Sequence, residues 1–301
     1  MATEMIPALS GTTAEARTVV DWLEARSSWP GLYAPEPSGR HETLLSRDGL
    51  LVRAAAAAHE LRHAGLMPGD RVMILLPANA ALPVVVFGTW LAGGVLVPAG
   101  WATPRGFRES LLHTLKHVYE STRPRVVVGT PVTLAALQEA GLRLDDAAVL
   151  SDAEIWRRTA LPVGDPEARP APEDPALVQL SPAGLPGGRL LRHSELLARL
   201  KAVSPPTGDL VEALLLPLLL GIPTHLIPMQ SFVGSPRGWA SSLSRLGSRT
   251  QVSLVGESPE EGSQEPLSTT DRWGLASAPS FGGFYYASIV FHRGGPSARV
   301  R

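Results

Sequence analysis

The apolar positions of the chain follow two alternating patterns. Short continuous apolar runs occur at Val72 to Leu76, Val95 to Pro98, Arg125 to Val128 and Ala176 to Leu180. Longer stretches with helical character lie before, between or after them, at Thr18 to Ser27, Leu44 to Gly65, Ala80 to Ala92, Arg105 to Ser121 and Ser194 to Val203. Continuous apolar runs are typical of strands that are buried on both faces, and their alternation with helices indicates βαβ units. The pattern therefore predicts an α/β fold with mainly parallel sheets flanked by helices.

The stretch from Asp174 to Leu197 combines the last of these strands with a loop rich in Pro and Gly. The chain leaves this loop at Arg189, where the residues are compatible with either a strand or the start of a helix. A strand that leads into a glycine-rich loop often presents backbone N–H groups to phosphate. The candidate residues of such a phosphate loop are Ser181, Gly184, Gly187, Gly188, Arg189 and His193. The residues leave a second interpretation open, namely a surface turn that joins two core elements.

This stretch resembles the ATP-binding loop of acyl-adenylate-forming enzymes, and it is most similar to that of the fatty-acyl-AMP ligases. The positions that match the family pattern are Gln179, Pro186, Gly188, Leu191, His193 and Leu196. Gly187, however, stands where the family has Lys, and Pro182 removes a backbone donor. Ala183 and Leu185 carry no hydroxyl group to face a phosphate oxygen. The resemblance therefore implies a nucleotide loop that has lost its phosphate chemistry, with no bound cofactor.

Other parts of the chain carry the same resemblance. The segment from Gly65 to Val72 fits the family phrase Gly-x-x-Pro-Gly-Asp-Arg-Val, and Phe232, Pro236, Trp239 and Arg245 fit a later phrase. The family's later parts have no counterpart: the Tyr-Gly-x-Thr-Glu segment, the ribose-binding Asp, the hinge and the small lid with its catalytic Lys. The resemblance thus implies part of the large N-terminal domain of an adenylate-forming enzyme.

We expect one truncated adenylation-like domain over residues 1–301. Within it, the sequence predicts a first βα sub-region at 1–161 and a second at 176–301. The linker at 162–175 contains five prolines and four acidic residues. The acidic, Ser- and Gly-rich stretch at 255–271 has no family counterpart and is predicted to be a mobile insertion.

A candidate pocket follows from the resemblance. Asp209 is what remains of a His-Asp-Met-Gly motif, and Ser280 stands where the family has Asn in a segment that lines the acyl and adenine pocket. Phe281 and Phe284 belong to the same segment. These aromatic side chains are either pocket walls or ordinary core residues.

Composition narrows the possible functions. Apolar residues make up 44% and charged residues 18%, which indicates a globular protein. The formal charge of −1 provides no electrostatic basis for binding nucleic acid or an anionic membrane. The absence of cysteine excludes disulfides, thiolate zinc sites and a cysteine nucleophile. Because no secretory signal or membrane-spanning run is visible, we expect a cytoplasmic protein; its oligomeric state is left open.

Two histidine pairs are considered as metal ligands. His59-Glu60-Leu61-Arg62-His63 fits His-Glu-x-x-His, the signature of a zinc hydrolase when it lies on a helix. A catalytic site would need a third ligand, and no downstream histidine has a suitable spacing. His113 and His117 repeat the spacing of four residues and are interpreted as a solvated face. No metal site is therefore predicted.

Three functions are compatible with these residues. The leading hypothesis is a non-catalytic binding or scaffolding domain of a polyketide or nonribosomal peptide system, which contacts an acyl carrier protein or a neighbouring synthase domain. The alternative is an enzyme that uses a remodelled pocket for other chemistry on a carrier-bound acyl chain. The zinc hydrolase built on His59, Glu60 and His63 is the third.

Overall fold

The computed structural model describes residues 16–25, 29, 31–38, 41–99, 108–158, 169–180, 188–202, 214–215, 218, 224–228, 250–255 and 288–293. These residues form two sheets with helices between them and on one outer side. The seven helices are α1 (Val19–Ala25), α2 (Arg47–His63), α3 (Ala81–Leu91), α4 (Arg108–Thr122), α5 (Pro131–Glu139), α6 (Asp152–Arg157) and α7 (His193–Lys201). No helix among them is long and apolar enough to cross a membrane.

The larger sheet has six strands: β3 (Arg71–Leu75), β4 (Val95–Pro98), β5 (Val126–Gly129), β6 (Ala148–Ser151), β7 (Pro175–Gln179) and β8 (Arg189–Arg192). Their order is β6-β5-β3-β4-β7-β8. All neighbouring pairs are parallel except β7 and β8, which form an antiparallel hairpin. Strands β4 and β5 lie on opposite sides of β3. The carboxyl ends of β3 to β7 therefore share one edge of the sheet, with a reversal of strand order at β3.

Each face of this sheet is buried by a different set of helices. On one face Val72, Ile74 and Val126 join a large core to which α1, α2, α3, α6 and α7 contribute. On the other face Met73, Leu75 and Val127 pack with residues of α4 and α5. The predicted α/β class, with helices on both sides of a mainly parallel sheet, is confirmed. The strands are continuously apolar because alternate residues of each strand enter different cores, so that both faces of the sheet are buried.

The smaller sheet was not predicted. It consists of β1 (Leu32–Pro35), β2 (Glu42–Leu45), β9 (Thr224–Pro228), β10 (Thr250–Val255) and β11 (Ser288–Arg293), in the order β10-β11-β9-β1-β2. Only β1 and β9 pair in parallel, so the parallel arrangement holds for the larger sheet. Leu32, Ala34 and Leu226 join the large core. This core therefore lies between the two sheets.

The alanine-rich part of α2 allows α3 to approach closely. A Cβ atom at Gly88 would lie 2.7 Å from the Cβ of Ala57 and 2.9 Å from the carbonyl oxygen of Ala54. These contacts are too short for a side chain, so Gly88 and the small residues of α2 together set the distance between the helices. On the opposite side of α3, the indole Nε1 of Trp90 donates a hydrogen bond of 2.9 Å to the carbonyl of Ala176 in β7.

The predicted elements agree with the structure apart from their ends. The predicted helix from Leu44 begins later, because Leu44 and Leu45 pair with β1 and the Ser46 hydroxyl accepts a hydrogen bond from the Gly49 N–H as the helix cap. Arg189 begins a strand rather than a helix. Elements that were not predicted are α5, β6, α6 and the smaller sheet. The predicted linker ends in β7, since Pro175 is the first residue of that strand. Val255, the first residue of the predicted insertion, ends β10, and 256–271 lie outside the described residues.

Candidate functional site

Strands β7 and β8, which flank the glycine-rich stretch in sequence, form a hairpin, and β7 ends at the shared carboxyl edge of the parallel strands. Gln179 and Arg189 are register partners at the base of this hairpin, and β7 lies beside β4. Ligands of open α/β sheets commonly bind outside the carboxyl ends of the strands. Ser181, Gly184 and Gly187 lie outside the described residues, whereas Gly188, Arg189 and His193 are described. The hairpin therefore has the position of a ligand-binding loop.

Gly188 closes the hairpin in a conformation that suits glycine. Its φ angle is +65°, and a Cβ atom would lie 2.6 Å from the carbonyl oxygen of Gln179 and 2.9 Å from a side-chain carbon of Val178. The left-handed conformation and this close approach both exclude a side chain. Gly188 is thus required by the backbone path at the base of the loop, whatever the loop binds.

Two side chains of α7 contact the base of the hairpin. Arg199 donates a hydrogen bond of 3.1 Å from Nη1 to the side-chain oxygen of Gln179. Arg189, which is largely exposed, lies with Nη2 3.8 Å from Oε1 of Glu195. An exposed ion pair of this length contributes little to stability. The contacts do show that both arginines near the hairpin base have partners on neighbouring elements.

His193 lies at the far end of β8. It follows β8 at the opposite end from Arg189, about 13 Å away for four residue steps of an extended strand. Its backbone N–H donates to the carbonyl of Asp174, and its ring meets Trp90 edge-on with the centroids 5.6 Å apart. The side chain is buried, and its Nδ1 has no hydrogen-bond partner among the described residues. His193 is therefore a core residue, although it matches the family pattern in sequence.

Burial lowers the pKa of His193 to about 4, while the nearby Asp174 and Asp21 partly oppose this shift. Burial disfavours the charged imidazolium more strongly than the two carboxylates favour it. The imidazole is consequently neutral at physiological pH. A neutral His193 side chain can be buried against Trp90 of α3 without an unpaired charge.

A buried polar pair lies at the same edge of the sheet and was not predicted. Asn79, which follows β3, donates a hydrogen bond of 2.8 Å to Asp152, the first residue of α6. The Asn79 side-chain oxygen also accepts from the N–H groups of Ala81 and Leu82 at the start of α3. Burial raises the pKa of Asp152, and the hydrogen bond from Asn79 opposes that rise. An Asn before an apolar helical stretch is the sequence signal of this cap.

The candidate pocket residues Asp209, Ser280, Phe281 and Phe284 all lie outside the described residues. The pocket that they were predicted to form therefore stays a prediction.

The His-Glu-x-x-His segment lies on the last two turns of α2. His59 and His63 are exposed and their ring centroids are 6.4 Å apart, whereas Glu60 lies with Oε1 3.7 Å from Nε of Arg158. Within the described ranges, no group of three potential ligands of the His, Cys, Asp or Glu type is assembled. His113 and His117 are exposed on α4, as expected for a solvated face.

A family model and several solved structures match this chain, and all of them are AMP-binding or adenylate-forming proteins. The family model described as AMP-binding enzyme matches residues 38–224. A structure of fatty acyl-adenylate ligases from E. coli and L. pneumophila is 26% identical, with a TM-score of 0.64, over 77% of this chain and 45% of that one. An adenylation domain of a keto acid-selecting NRPS module, bound to keto acyl adenylate, is 20% identical, with a TM-score of 0.62, over 78% and 46%.

A third structure is a multidomain fragment of a keto acid-selecting NRPS module, described as adenylation, ketoreductase and pseudo Asub. It is 19% identical, with a TM-score of 0.63, over 78% of this chain and 21% of that one. A search of the curated proteins found no significant match. The chain thus spans about half the length, or less, of the solved structures that it matches.

Proposed function

Because the chain belongs to the AMP-binding enzyme family, we propose that it is a member that does not adenylate and acts as a binding or scaffolding module. The observation that carries this proposal is the loop between β7 and β8. The stem of the hairpin is kept, with Gln179 and Gly188 at family positions, but Gly187 occupies the family's Lys position. A scaffold needs the stem, which is part of the sheet, and has no need of the phosphate-binding groups.

The chemistry of adenylation explains why these losses are decisive. Forming an acyl adenylate requires neutralisation of charge on the triphosphate and an aligned carboxylate. Removing one such electrostatic group typically costs about a hundredfold or more in rate. Here the loop lacks its Lys, the hydroxyl groups at Ala183 and Leu185, and one backbone N–H, at Pro182. Of the two arginines near the hairpin base, Arg199 donates to Gln179, and Arg189 lies two residues beyond Gly187, so it does not occupy the Lys position.

The setting that we propose is a cytoplasmic polyketide or nonribosomal peptide assembly line. Support comes from the matched adenylation domains of NRPS modules, one of them in a fragment that also contains a part described as pseudo Asub. The partner would be an acyl carrier protein or a neighbouring synthase domain. A module of this kind would bind its partner through its surface and leave activation of the acyl group to another protein.

Two measurements test the negative half of the proposal. Isothermal titration with ATP and Mg²⁺ should give no micromolar binding, and pyrophosphate exchange should equal that of a sample without protein. Gly187→Lys is the matched variant: because the other donors are still missing, we expect it to stay inactive as well. Micromolar ATP binding, or exchange by the unmodified chain, would contradict the proposal.

The positive half is tested separately. In a pull-down, the immobilised chain should retain a purified acyl carrier protein or an adjacent synthase domain. Adding an excess of free chain should reduce the amount of partner that is retained. Failure of retention with all such partners would refute the scaffold while leaving the absence of adenylation unaffected.

A further inference from the structure

The end of α2 carries two histidines on one exposed face. His59 and His63 are one helical turn apart, and the angle between their ring planes is 33° at a centroid separation of 6.4 Å. Side chains four residues apart on a helix are neighbours, which is the spacing at which two imidazoles can bind one ion. In the described part of the chain neither imidazole takes part in a hydrogen bond or an ion pair. Both rings are thus available to a ligand from solvent.

The position of this pair at the end of α2 bears on its electrostatics. The nearest basic neighbour on the helix, Arg62, directs Nη2 to the carbonyl of Leu91 at 2.6 Å. His63 is the last residue of α2, and the carboxyl end of a helix is the negative end of its dipole. A positive ion held between the two rings would lie within the last turn, where this effect is strongest.

We propose that His59 and His63 form a binding site for a divalent transition ion of the Zn²⁺, Ni²⁺ or Cu²⁺ class, with water completing its coordination. Imidazole nitrogen is a preferred ligand of these ions. The site is not hydrolytic, because Glu60 is paired with Arg158 and the described residues supply no third protein ligand. It lies on α2, is separate from the β7–β8 hairpin, and does not depend on the proposed scaffold function.

The test is titration of the full chain with NiCl₂ at about pH 7.5. The variants His59→Gln and His63→Gln keep helix propensity and remove one ligand each. Loss of a partner that only orients a ligand already costs about tenfold or more in metal affinity, so we expect each variant to lose at least that much. The matched control is the double variant His113→Gln and His117→Gln, which removes the exposed pair of the same spacing on α4 and should lose less affinity than either α2 variant; an equal or larger loss would overturn the proposal.

A second measurement locates the ion. Paramagnetic Cu²⁺ added at substoichiometric amounts should broaden the amide resonances around His59 and His63 before those of α4. The proposal is overturned if the unmodified chain binds no Ni²⁺, if His59→Gln and His63→Gln bind as well as it does, or if the broadening is centred on α4. Circular dichroism of each variant establishes that α2 is intact, so that a lost site is not confused with a lost helix.

Discussion

His193 illustrates how its surroundings decide the role of a single residue. In sequence it stands at a family position a few residues after the glycine-rich loop, and it was therefore grouped with that loop. In the structure β8 carries the chain away from the loop, and His193 is buried against Trp90. Burial then lowers its pKa to about 4. The same residue type that could hold a phosphate in a loop is here a neutral part of the core.

This burial makes the stability of the protein depend on pH. Above a pH of about 6.5 the imidazole is neutral in both the folded and the unfolded chain. As the pH falls towards 4, the unfolded chain takes up a proton that the folded chain excludes, so the free energy of unfolding decreases. The loss attributable to His193 is about 2–3 kcal/mol by a pH of roughly 4.5. Urea unfolding of the unmodified chain and of His193→Gln across this range measures it.

The comparison between the two proteins isolates the histidine, because carboxyl groups titrate in both. The His193→Gln variant should lose less stability between neutral and acidic pH than the unmodified chain. An equally steep loss in the variant would mean that His193 is not the group responsible.

The requirement for glycine at position 188 can be tested by substitution. Gly188→Ala places a Cβ atom against the Gln179 carbonyl and also forces a left-handed conformation, so we expect a loss of about 2 kcal/mol or more in unfolding free energy. Gly141→Ala is the matched control: its φ is +77° but a Cβ atom there meets nothing within 4 Å. The control should lose only the conformational part, about 1 kcal/mol. Equal losses in thermal or urea unfolding would show that the contact with Gln179 is relieved at little cost.

At the scale of single elements, the ends of helices are fixed by local chemistry. The Ser46 and Thr130 hydroxyls accept hydrogen bonds at the starts of α2 and α5, and Ser151 and Glu154 form a capping box at α6. These residues are favourable caps because a side-chain oxygen satisfies an otherwise unpaired N–H group. Helix α4 ends differently. Arg123, with a φ of 45°, takes the left-handed conformation that usually carries glycine at this position.

Replacing this arginine should stabilise the protein. Arg123 is exposed, and its backbone N–H donates to the carbonyl of Tyr119. Arg123→Gly keeps that hydrogen bond and relieves the strain of a side chain at positive φ, for an expected gain of about 1 kcal/mol in unfolding free energy. Arg123→Ala removes the same charge without relieving the strain and serves as the control. A gain with Ala equal to that with Gly would point to the charge as the cause.

The whole molecule depends on strand pairing between distant parts of the chain. The sub-regions predicted at 1–161 and 176–301 both contribute to each sheet: β7 pairs with β4, and β9 pairs with β1. Trp90 of α3 also bonds to β7. The two segments therefore share one large core rather than having a core each.

A fragment of residues 1–158 tests this sharing. Without β7 and β9 it exposes buried residues of β4 and β1, among them Leu96 and Leu32, and leaves the backbone of both strands partly unpaired. We expect no cooperative thermal unfolding of the fragment by circular dichroism, whereas the full chain unfolds cooperatively. A fragment that melts in a single sharp transition would show that the first sub-region is an independent unit.

Some residues of the candidate site could be predicted from the sequence, whereas others depend on how distant segments pack. The first strand of the hairpin and the glycine-rich stretch after it could be predicted because such a strand and loop leave a local signature. The Asn79–Asp152 pair joins residues that are far apart in sequence, and neither residue marks the other. The position of His193 could not be predicted, because the sequence left the element that begins at Arg189 open between a strand and a helix. Asp209, Ser280, Phe281 and Phe284 stay predictions.

The sequence alone determined the α/β class, most of the elements of the six-stranded sheet and the Pro- and Gly-rich character of the stretch after β7, because apolar periodicity and side-chain identity are local properties. Only the tertiary structure decided that a second sheet joins β1 to β9, that His193 is buried against Trp90 and that the face of α2 carrying His59 and His63 is exposed. Those features arise from pairing between distant segments and from burial, which depend on how the chain packs and not on any single stretch of it.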